Sequence, residues 1–271
     1  MLNSTPNKLT YFLSLLDILA ITLWGVLFLK YWFQGELSLL IHPNYFILVL
    51  ITGVIFLILS CLKTWQLVLK IKDKKLSSNS TELEHINLLP KGWSSSLLIL
   101  VAILGLLIKP TVLSSQTVMQ RGISDSLPLT RELPEAFRTA TKPEERSLIE
   151  WIRTLNAYPE PDAYNGQKAN ITGFVVHLPQ LSDNYIYLSR FVLTCCAVDA
   201  YPVGIPVKLP QSRSNYPIDS WLEVQGEMIT EVLPNLNTNE ANTITEKRQL
   251  VLKGISVKPI PTPKNPYEYN S

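Results

Sequence analysis

Arg190-Phe-Val-Leu-Thr-Cys-Cys-Ala-Val-Asp-Ala200 brings two of the chain's three cysteines, an arginine and an aspartate into one apolar run. The rest of the chain reads as a device for holding it. In an extended strand side chains alternate between faces, which puts Arg190, Val192, Thr194 and Cys196 on one side and Phe191, Leu193, Cys195 and Ala197 on the other. Adjacent thiols then point apart, one into a core and one outward, unless the strand bulges or turns there and brings both to one side.

Working outward, the same period of two recurs after Gly166. Residues 169–176, 185–195, 205–209, 221–232 and 249–260 are five strand candidates, separated by clusters of proline, asparagine and serine. Gly173, Gly226 and Gly254 fall inside these patterns, where glycine marks a bulge or the sharp bend that a closing barrel requires. The expectation is a mainly-β domain, an OB-like five-stranded barrel. One helix precedes it: Thr141 with Glu144 forms a capping box, Pro143 fits the first turn, and Leu148, Ile149, Trp151, Ile152 and Leu155 make an apolar stripe that Pro159 and Pro161 end.

The N-terminal part has a different character. Hydrophobic residues make up 46% of the 271-residue chain and are concentrated in the first 113 positions. Segments 9–33 and 45–69 are long enough as helices to cross a hydrocarbon core of about 30 Å, and 93–113 is a third candidate span. Tyr31, Trp32 and Phe33 fit an interfacial belt, and His42-Pro43 opens the second span, since proline suits a helix start. The linker 34–42 has no lysine or arginine, whereas the loop 70–92 carries Lys70, Lys72, Lys74, Lys75 and Lys91. That bias marks 70–92 as cytoplasmic and leaves the C-terminal half outside, at the cell membrane. The expected layout is therefore a transmembrane region over 1–113, a tether over 114–140 and an extracytoplasmic barrel over 141–271. Asp17, about two turns into the first span, is an intramembrane polar residue that either sits hydrated near the interface or faces a partner helix. Cys61 reads as packing. The 24 basic and 22 acidic residues give a formal charge of +2, too balanced for a nucleic-acid footprint.

Several of these residues together carry a resemblance. Gly173-Phe-Val, Arg190 with Cys195-Cys196-Ala-Val-Asp199, Pro202 and Gly204, Trp221-Leu-Glu-Val-Gln-Gly226 and Pro266-Tyr-Glu-Tyr269 make the chain similar to the YcgQ-like permease-subunit family of bacteria. The order of membrane helices followed by a β-domain also resembles that family. The resemblance implies a membrane protein that works beside a larger polytopic permease-like subunit, and it brings no catalytic residue.

The chemistry itself rests on few residues. Cys195 and Cys196 with Asp199, and His177 as a further donor, offer ligands suited to zinc or copper. The spacing is not the usual C-x-x-C, which lets two thiols reach one tetrahedral ion from a tight turn; neighbouring thiols need a bend to do the same. A strained, easily reduced disulfide between neighbours is another reading, and plain packing with Asp199 capping a turn is a third. Arg190 needs a carboxylate or carbonyls for its fixed donors, and Asp199 is a candidate partner. His177 is the only histidine after residue 85, with no serine elbow or acidic partner pattern, so an enzyme is not expected. Two functions remain: an accessory subunit of a permease-like complex, or an extracytoplasmic thiol or metal protein that senses or delivers its ligand.

Overall fold

The computed structural model describes residues 8–72, 90, 92–123, 142–235 and 246–269. The chain divides into two compact units, Met1–Thr111 and Val112–Ser271.

The first unit contains α1 (Lys8–Gln34), α2 (Phe46–Lys72) and α3 (Trp93–Leu107). Two stretches, Tyr11–Gln34 and Pro43–Leu69, are long and apolar enough to cross a membrane. The helices approach closely where α1 and α2 carry glycine. A Cβ on Gly25 would lie 3.1 Å from the Gly53 carbonyl oxygen, so only a small residue lets the two backbones meet there. The Thr22 and Ser60 hydroxyls share a hydrogen bond of 2.5 Å across the same pair. Between α1 and α3 the polar groups are also matched: Tyr31 donates to the Gly105 carbonyl at 2.7 Å and Lys30 to that of Leu106 at 2.8 Å. These are last-turn carbonyls that have no partner within α3, and a cation there also suits the helix dipole. Asp17 accepts from the Ser95 hydroxyl on α3, so it has a polar partner on a neighbouring helix.

His42-Pro43 opens the second span as expected. The His42 Nδ1 accepts the Asn44 N–H at 3.2 Å, capping a 3-10 turn over Pro43–Tyr45 that leads into α2. The third candidate is shorter than its sequence segment. Helix α3 ends at Leu107, with Ile108 already extended ahead of Lys109-Pro110, and its 15 residues rise only about 22 Å.

The second unit is built on six strands: β1 (Lys168–Val176), β2 (Tyr185–Leu193), β3 (Tyr201–Lys208), β4 (Trp221–Pro234), β5 (Glu246–Ile260) and β6 (Tyr267–Tyr269). Five of them close a ring. β1 pairs with β4, β4 with β5, β5 with β3, β3 with β2, and β2 with β1 again; only β3–β5 is parallel within the ring. Closure happens at Phe174, which faces Trp221 on one side and Ser189 on the other. Gly173 sits beside that junction because a Cβ there would come within 2.8 Å of the Ser189 carbonyl oxygen. Between Gln225 and Gly226 the β4–β5 register shifts, so that Gln225 faces Ser256 while Gly226 faces Gly254. Ile255 is left over as a bulge residue, which bends the long hairpin around the core.

Inside the ring, Ile171, Val175, Ile186, Leu188, Val207, Leu222, Val224, Met228 and Leu252 are fully buried. One end is covered by α5 (Leu148–Ala157), whose Leu148 and Trp151 join this core while Ile149 and Ile152 pack on Val192 and Val203. The apolar stripe therefore behaves as read. The helix start does not: Pro143–Glu145 is a 3-10 turn, and the capping box that forms is Ser147 with Glu150. Thr141 lies outside the described residues.

The expected tether also begins differently. Residues 112–123 belong to the folded unit, where α4 (Ser115–Arg121) buries Val118 completely. The Ser115 N–H donates to Asp219 at 2.6 Å and the Leu113 N–H to the Tyr267 hydroxyl at 3.0 Å. Residues 124–140 lie outside the described ones.

Candidate thiol site

Strand β2 ends at Leu193, two residues before the cysteines. Beyond it the chain enters a turn, closed by the Asp199 N–H donating to the Cys196 carbonyl at 3.2 Å. The Asp199 side chain then folds back. Its Oδ2 accepts the Cys195 N–H at 3.0 Å and its Oδ1 accepts the Cys196 N–H at 3.1 Å. Consecutive N–H groups of an extended chain point in opposite directions, so two of them on one carboxylate mean that the chain is not extended at Cys195. The alternation of side chains is lost with it. Both sulfurs come to one side, 3.7 Å apart, and the three ligand atoms of Cys195, Cys196 and Asp199 all lie within 4.8 Å of one another. Of the two arrangements the sequence leaves open, the turn that brings both thiols to one side is the one found: Cys195 is exposed and Cys196 half-buried.

The turn is tied to the rest of the unit by Arg121. Its guanidinium donates to the carbonyls of Ala200 and, at 3.4 Å, Ala197. A cation from the last turn of α4 thus holds the main chain of the thiol turn. Val198 at the tip is 84% exposed.

The Asp199 carboxylate accepts the Cys195 thiol, and together with the neighbouring Cys196 sulfur this pushes Cys195 up to about 12. Partial burial works against the ionised Asp199, but the thiol and the main-chain N–H groups outweigh it and hold the carboxyl below its ordinary value. Burial, with Asp199 nearby and Arg153 opposing, pushes the Tyr201 phenol up to about 12. The surroundings of the turn thus favour the protonated thiol of Cys195 and the ionised carboxylate of Asp199. Because the thiolate is the reactive form, Asp199→Asn should speed alkylation of Cys195 at pH 8 by about tenfold or more, since each unit of pKa recovered is tenfold in thiolate. Mass-resolved iodoacetamide labelling would read this, and equal rates in the two proteins would show that the carboxylate does not restrain the thiol.

Two of the partners expected from the sequence lie elsewhere. His177 follows β1, where Val176 faces Tyr187, and Tyr187 is about 20 Å up β2 from Leu193. Its Nε2 meets the Tyr216 carbonyl at 2.9 Å, and it is not part of the thiol cluster. Arg190 does not pair with Asp199. It forms an ion pair with Glu268, donates to the Asn265 carbonyl at 3.0 Å and lies 5.5 Å from the Trp221 ring centre. Gly173, Trp221 and Gly226 are thus framework residues of the ring and of this arginine's niche. Arg121 carries no signal in the sequence, where it stands alone in a polar segment; Glu268 is visible there only as part of Tyr-Glu-Tyr.

One unit of apolar helices and a second built on a closed ring of five strands, with neighbouring thiols just past a strand end, define the class. The chain belongs to the DUF1980 family, matching the DUF1980 N-terminal domain over residues 16–124 and the DUF1980 C-terminal domain over residues 141–270. No curated protein and no solved structure matches it.

Proposed function

We propose that this protein is a membrane-anchored, non-enzymatic accessory subunit that works beside a polytopic permease-like subunit, as the likeness to the YcgQ-like family implies. The observation that carries the reading is the convergence of Cys195, Cys196 and Asp199 on an exposed turn held by main-chain hydrogen bonds. Loops on a rigid frame commonly carry function, and this one offers ligand atoms rather than a nucleophile paired with a base. The strand order of the ring supports an OB-like barrel as the frame.

Anchoring is supported by the apolar surfaces of the helices. Ile47, Leu48, Ile51, Ile55, Ile58 and Leu62 all face outward from α2, which suits lipid and is unfavourable in water. With the lysines of 70–92 on the cytoplasmic side, the β unit faces outside the cell membrane, provided that the short third segment also crosses. Sensing or delivery of zinc or copper is the second reading, favoured by the 3.7 Å sulfur separation, and it is compatible with the first.

Mild-detergent purification after crosslinking of native membranes tests the accessory role. It should recover a multispan partner in near-equal amount. Recovery of this chain alone, from cells in which transport is active, would overturn it.

A further inference from the structure

The dimensions of the thiol turn point to a ligand class. We propose that Cys195, Cys196 and Asp199 form an open site for a tetrahedral divalent ion of the zinc class, with two thiolates, one carboxylate and a fourth position facing solvent. This rests on the reading of the turn as a ligand point.

Bite comes first. An ion about 2.3 Å from each of two sulfurs 3.7 Å apart subtends an S–M–S angle of about 107°, close to tetrahedral. A linear two-coordinate ion needs its sulfurs separated by two full bonds, about 4.5 Å, and the turn would have to open to supply that.

The third donor is already in place. Each Asp199 oxygen accepts one main-chain N–H, at 3.0 and 3.1 Å, and a carboxylate offers about four lone-pair positions, so it can keep both bonds and still ligate. The ligand atoms of Cys195, Cys196 and Asp199 all lie within 4.8 Å of one another, so the carboxylate stands beside both sulfurs. On binding, each thiol releases its proton to solvent and forms one metal–sulfur bond; no oxidant is needed.

Charge favours a divalent ion. Two thiolates and a carboxylate leave a single negative charge around a divalent ion, but two around a monovalent one. Arg121, fixed on the carbonyls of Ala197 and Ala200, is one cation beside the turn and offsets the first case. Exposure of Cys195 lets an ion enter without unfolding.

The test uses the full chain in detergent with Cys61→Ser and no polyhistidine tag, kept reduced. Zinc is titrated against a chromophoric chelator, and cobalt(II) is substituted for spectroscopy. We expect one zinc per chain, a cobalt adduct with thiolate charge-transfer absorption and tetrahedral visible bands, and a loss of zinc affinity of about 100-fold in Cys195→Ser and in Cys196→Ser. Asp199→Asn should weaken zinc by about tenfold. Melting curves check that each variant folds, and for any that does not, the parent's cobalt spectrum counts the thiolates. Zinc affinity unchanged in both serine variants, or an octahedral cobalt spectrum, overturns the site. Copper(I) held while zinc is not overturns the divalent assignment but keeps the turn as a ligand point. Partner recovery with the serine variants is measured separately, so loss of zinc with the partner retained is distinguished from failure of the accessory role.

Discussion

Gly226→Ala should prevent the β unit from accumulating as a folded species, or lower its melting temperature by about 10 °C or more. A Cβ at this position would stand 2.0 Å from the Lys253 carbonyl oxygen and 2.8 Å from its carbon. These are main-chain atoms of the paired strand, so no rotamer change relieves the clash. The β4–β5 hairpin has to separate at its bulge, and overpacking of this kind costs about 3 kcal/mol or more. Gly254→Ala, directly opposite, is the internal control. There the nearest atom is a Val257 methyl at 3.2 Å, a side chain that can move, and the loss should be about 1 kcal/mol. Thermal melts of both variants decide it; equal stability of Gly226→Ala and the parent would mean that the two backbones are not this close.

That the same glycine stands out in the sequence is no accident. A glycine inside a period-two pattern has few reasons to be there, and backbone contact at a bulge is one of them. The ring strands were legible for the same local reason: alternation is written within each segment. The spanning helices were legible by length and composition alone. Features that depend on distant residues were not. Strand β6 is three residues long and exists only because it runs parallel to Phe191–Leu193, about 75 residues earlier, a pairing that leaves no local pattern. The seven-residue α4 has one fully buried apolar side chain, too few for a period. The helix start was ambiguous because Thr141 with Glu144 and Ser147 with Glu150 have the same spacing; the second forms where the cap directly precedes the apolar stripe at Leu148. At the thiol turn the decisive fact was where β2 stops. Asp199, three residues beyond Cys196, draws both N–H groups to itself, and that choice between turn and strand is made by a side-chain hydrogen bond rather than by the apolar pattern.

The sequence also suggested the wrong partner for Arg190, and the true one gives a large effect on removal. Glu268→Ala should destabilise the β unit by about 3 kcal/mol, or about 9 °C in a unit of this size. The pair is well shielded, with side chains only 12% and 17% exposed. Arg190 has few substitutes for the lost carboxylate: its Nη2 holds the Asn265 carbonyl, its face lies over Trp221, and its Nε is buried with no acceptor among the described residues. Removing the partner of such a charge leaves it desolvated and uncompensated, which is worse than losing the pair as a whole. The double variant Arg190→Met with Glu268→Ala should therefore be more stable than Glu268→Ala alone. Because Glu268 faces Val192 across the β2–β6 pairing, the single variant should also release the last strand, seen as faster amide exchange at Tyr267 and Tyr269. A loss below about 0.5 kcal/mol in Glu268→Ala would place the pair among exposed ion pairs of little consequence. A double variant no better than the single would show that the side chains pack, rather than compensate a buried charge.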